Sequence, residues 1–200
     1  AREIRAEMRT ANGDLTGLEQ DLVAISNIAT AKGETRFMKD VEALYAWLYM
    51  RRGDPQRARD RLAPFLEDAV SDAYIGAKIL GHAALLAEDR ETRDHWIAQG
   101  RACIARGSLA HSVLWYHASV LERAVMDGDR ILAQEEMNAM QAFAAEEPIG
   151  LLSLYIRTAE LLLWPSTEAD RQSHAEVVRA AGLEDCALLL LSPERDYVRP

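Results

Sequence analysis

Apolar residues recur along this chain at steps of one, three and four, the spacing of one face of a helix. The clearest instance is Leu44–Leu66. Leu44, Tyr45, Leu48 and Tyr49 share a face that Trp47 and Met50 widen. Arg51 and Arg52 follow, placing positive charge at the negative end of the helix dipole. Gly53 suits a left-handed C-terminal cap, Asp54 an N-cap, and Pro55 the first helical position, where its missing N–H costs nothing. The second helix presents Ala58, Leu62, Phe65 and Leu66 on one side and Arg57, Arg59, Asp60 and Arg61 on the other. So short a corner makes the two helices pack antiparallel. Pro64 falls inside the second helix and predicts a bend or an early end.

Similar corners recur at Gly13-Asp14, Gly53-Asp54, Glu88-Asp89 and Gly128-Asp129, with a fifth turn at Trp164-Pro165-Ser166-Thr167, where Ser166 or Thr167 can cap. Such spacing is a repeat signature that favours a solenoid. The pattern predicts helices over 2–11, 15–31, 35–52, 55–68, 72–87, 90–106, 109–127, 130–145, 149–164 and 168–182. They form about five antiparallel pairs, 2–31, 35–68, 72–106, 109–145 and 149–182, in one all-α domain spanning 1–200. Segment 184–192, with the apolar run Cys186–Ser192, is expected to cover the open end of the stack, and the last residues to fray. The start at Ala1, already in helical pattern, reads as a piece of a longer polypeptide.

Composition agrees with an all-helical reading. Ala, Leu, Arg and Glu, strong helix formers, dominate, and alternating β-branched runs are absent. The net charge of −9 disfavours nucleic acid and anionic membrane as partners of the whole surface. No stretch of 18 apolar residues occurs, and the N-terminus lacks a hydrophobic signal core. Cys103 and Cys186 stand far apart with no metal-binding pattern, so both read as reduced buried thiols in a cytoplasmic protein.

Tyr49, Gly53-Asp54, Ala58, Leu62 and Phe65 together resemble the tetratricopeptide repeat (TPR). Gly128-Asp129, Ala133 and Met137 match in the same way. The Gly13 copy carries Leu18 at the small-residue position, the Glu88 copy carries Arg93 there, and the fifth pair matches by hydrophobic period only. The stretched period, with segment 11–25 most alike, is similar to the helical repeats of MalT/LuxR-type bacterial regulators and related signalling ATPases. The resemblance implies a right-handed superhelix that binds a protein, a peptide or a small-molecule effector. No phosphate-binding loop or helix-turn-helix is evident, so no direct nucleic-acid contact is expected from this segment. In that family the first helix of each pair lines the concave surface. By that analogy Trp47, Met50, Lys78, His82, Trp115, Glu122 and Tyr155 are the candidate groove residues. Packing between repeats is the competing account of the aromatics.

Catalytic readings are weaker. His111 and His117 face different ways, Glu91 and His95 lie on one helix, and no Glu-x-x-His pair of the di-iron type occurs. Glu135-Glu136 and Glu146-Glu147 are adjacent residues that do not face each other, so they read as a solvated face. Ser108 lacks an activating carboxylate or a Gly-rich elbow and reads as a cap. Gly76 and Gly81 read as sites of close helix contact. The expected function is therefore a non-enzymatic binding module without cofactor or metal. The alternatives are an all-α enzyme or metal-carboxylate bundle, and a scaffold whose aromatics form a homodimer interface.

Overall fold

A computed structural model describes residues 2–11, 13–33, 38–146 and 150–184. The described residues are helical, without a strand. The helices are α1 (Arg2–Ala11), α2 (Leu15–Lys32), α3 (Met38–Arg51), α4 (Pro55–Leu62), α5 (Leu66–Ala69), α6 (Gly76–Leu85), α7 (Arg90–Ala105), α8 (Ala110–Asp127), α9 (Arg130–Glu146), α10 (Gly150–Leu163) and α11 (Glu168–Ala180). The chain forms two compact units, one through Tyr116 and one from His117 onward, the division falling inside α8.

The corners are built by the residues that signalled them. Asp14, Asp54, Asp89 and Asp129 each accept a hydrogen bond from the backbone N–H three residues on, which satisfies a donor that the first helical turn leaves open. Gly53 takes φ +76° and Gly128 φ +65°, where a side chain would be strained. At the fifth corner Thr167 is the cap, and Asp170 returns the bond to the Thr167 N–H in a capping box. Ser166 instead donates to the Leu161 carbonyl.

As expected, Pro64 interrupts the 55–68 helix, dividing it into α4, a 3-10 turn over Ala63–Phe65, and α5, because proline cannot donate to the helical ladder. Two local expectations are corrected. The predicted 72–87 helix begins only at Gly76, since Asp72 Oδ1 accepts from the Tyr74 and Ile75 amides and holds that stretch as a turn. Ser108 does not cap α8; its hydroxyl donates back to the Cys103 carbonyl at 3.2 Å. Segment 185–192 lies outside the described residues.

In the first unit α6 is the centre. All ten of its residues are buried, as expected of a helix that is apolar nearly all round. It packs on α7, α5, α3 and α4, while α3 packs on α4, α2 and α1. Leu44, Leu48, Ile79 and Leu80 anchor the shared core. Tyr116 is fully buried against α6 and α7, between Gly81 and Gly100, and donates to the Ile97 carbonyl at 2.9 Å. In the second unit α10 packs on α9 and α11, burying Met137, Met140, Leu152, Ile156, Leu161 and Val178.

Candidate functional site

Helix α6 carries two polar side chains on an otherwise apolar cylinder, Lys78 and His82, one helical turn apart and so on one face. Lys78 is completely buried. An ammonium removed from water needs counter-charge and hydrogen bonds, and two other helices supply them. Its Nζ donates to Asp40 Oδ1 of α3 at 2.6 Å and to Glu7 Oε1 of α1 at 3.4 Å. It also lies 5.4 Å from the centre of the Trp115 ring, within range of a cation–π attraction. The Lys78 amide donates to Ser112 Oγ at 3.0 Å, fastening α6 to the start of α8. The side chain of Asp40 is 15% exposed and that of Glu7 32%, so the cluster is closed at Lys78 and opens toward its carboxylates.

His82 meets the Trp115 ring edge-on at 6.3 Å. Burial, then the charges of Lys78 and Arg51, push its imidazole down to about 3. It is neutral at physiological pH and unsuited to shuttling protons there. The Arg51 guanidinium covers the Trp47 ring at 4.9 Å. A lysine clasped by two carboxylates is a charge partner, and not the unpaired amine that imine chemistry uses. The arrangement is thus a buried polar cluster in which the charge of Lys78 is answered by two carboxylates.

The structure brings Lys78, His82 and Trp115 together. Trp47 is buried on α3, and Met50 packs half-buried on the core. Glu122 and Tyr155 belong to the second unit, both half-buried. Asp40, Glu7, Arg51 and Ser112 escaped sequence reasoning. The available signal was Lys78 itself: a lysine in so apolar a run demands a carboxylate from elsewhere, although the run cannot say which.

One carboxylate reading is corrected. Glu135 is exposed, but Glu136 is 1% exposed and its Oε2 lies 2.6 Å from His117 Nδ1. Consecutive helical positions point about 100° apart, so one glutamate can face water while its neighbour faces inward. Among the described residues no group of three or more His, Cys, Asp or Glu is gathered closely enough to hold a metal ion, and no helix is long and apolar enough to cross a membrane. No family model, curated protein or solved structure matches the chain.

Proposed function

We propose that the chain is a non-enzymatic binding module, a TPR-like row of helix pairs that takes a protein, a peptide or a small effector on the face formed by its first helices. The observation that carries this reading is the Lys78 cluster. Its ammonium joins α1, α3 and α6, the first members of three successive pairs. The direct packing of α1 on α3 and of α3 on α6 supports it, since stacked pairs align their first helices in this way. A face whose charges are already fixed by one another orders a partner at little entropic cost. The setting, a cytoplasmic bacterial regulator, rests on the sequence resemblance.

The test is a random-peptide display selection on the whole chain, with enriched peptides measured against a Met50→Ala, Trp115→Ala variant. Both side chains are only half-buried, and circular dichroism checks that helix content is retained. Peptides that bind the parent and lose most affinity for the variant support the reading. Absence of any enriched peptide, or equal binding to both proteins, removes the face from consideration.

A further inference from the structure

A second feature, in the second unit, is independent of the Lys78 cluster. A cleft of about 360 Å³ lies among α9, α10, the Trp164–Ser166 corner and the first turn of α11. Its apolar side is made by Met137, Leu161 and Trp164, and its polar side by Arg157, Glu160 and Asp170. The cleft is open and its lining is more polar than apolar, which suits a charged small molecule, and its volume is at the lower end of the usual range for ligand sites.

The open valences define the ligand. Arg157 has five N–H donors. Among the described residues only its Nη1 is engaged, by Glu160 Oε2 at 3.0 Å. The Trp164 indole N–H meets no acceptor among the described residues. Asp170 takes the Thr167 amide and hydroxyl on Oδ2, which leaves Oδ1 open. Those bonds from Thr167, together with the charges of Arg157 and Arg171, hold the Asp170 carboxyl below its ordinary range, so it is an anion at neutral pH. The lining therefore offers one guanidinium, two carboxylates and an aromatic surface. A simple anion meets two like charges there, and a simple amine leaves unmatched the Arg157 donors that Glu160 does not hold.

We propose that this cleft binds a small zwitterion with an apolar body, of the class of a free apolar α-amino acid. The carboxylate pairs with Arg157, in the forked geometry that guanidinium favours. The ammonium lies toward Asp170 and Glu160. The side chain rests on Trp164 and Met137.

The experiment is isothermal titration calorimetry of the full chain with L-phenylalanine, 3-phenylpropionate and phenethylamine, with Trp fluorescence as a second readout. L-phenylalanine is expected to bind, and each single-charge analogue to bind about ten- to a hundredfold more weakly, the value of one charge-assisted contact. Arg157→Met should weaken the amino acid by a similar factor, with Arg157→Lys intermediate. Arg157 is exposed, so the variants should keep the parent melting temperature. Trp164→Phe should keep the stacking surface and lose the indole fluorescence response. Equal affinity for phenethylamine and L-phenylalanine, unchanged binding by Arg157→Met, or no binding of any probe would overturn the proposal. None of these outcomes bears on the peptide selection above, which reads the first unit.

Discussion

Tyr116 occupies space that two glycines leave. A Cβ on Gly81 would lie 2.7 Å from the Tyr116 Cα, and one on Gly100 2.2 Å from its Cε2. Alanine in a helix gains roughly 1 kcal/mol over glycine. Overpacking a filled core costs about 1–3 kcal/mol, and separations this short put the cost at the upper end. Gly81→Ala and Gly100→Ala should therefore both destabilise, Gly81→Ala with the less relief, because its obstacle is backbone. Each kcal/mol lost should lower Tm by about 2–4 °C in a chain of this size. Thermal melts of the two variants check this, and a raised Tm in both would contradict the packing described. His82 makes a second residue-scale prediction. Its folded-state value of about 3 lies below the ordinary 6.5, so between these the unfolded chain binds a proton that the folded chain refuses. Stability from this group is complete above about pH 6.5 and is lost as pH falls toward 3, at up to about 1.4 kcal/mol per unit. Urea denaturation across that window should show a shallower pH slope for His82→Gln than for the parent. An identical slope would mean that His82 is not buried in neutral form.

Elements begin and end where local chemistry directs. Four aspartates cap helices through backbone amides, and each was visible as a Gly-Asp or Glu-Asp corner. Asp54→Ala should cost about 1 kcal/mol, the usual value of a lost cap, whereas Gln56→Ala, on the same exposed turn, should change little. Chemical denaturation of the two variants checks the difference, and equal stabilities would argue against capping by Asp54. Pro64 and Asp72 show why the boundaries between 62 and 76 were harder to read. Proline has several ways to end a helix, and the run that follows keeps helical periodicity. Only the hydrogen bonds to Asp72 show that 73–75 turn before α6 starts. Periodicity also could not tell Glu135 from Glu136, because the inward direction of α9 depends on what packs against it.

Across the first unit, Lys78 joins helices far apart in sequence. Removing one partner of a buried pair typically costs about 3–5 kcal/mol, because the remaining charge is stranded, whereas replacing the whole pair by apolar groups is often neutral. Lys78→Met alone should therefore destabilise strongly. Adding Asp40→Leu and Glu7→Leu should restore much of the loss, as judged by urea midpoints. A triple variant no more stable than Lys78→Met would show that the carboxylates are not what the ammonium answers.

Helix content and the corners were determined by the sequence, since capping, glycine conformation and hydrophobic period act within a few residues. The partners of Lys78 were decided only by tertiary structure. Asp40 and Glu7 lie 38 and 71 residues away from it, and nothing local distinguishes them from the chain's other carboxylates. The cleft beside Trp164 is of the same kind. Arg157 and Asp170 read as ordinary surface charges until the folding of α9, α10 and α11 sets them around one space.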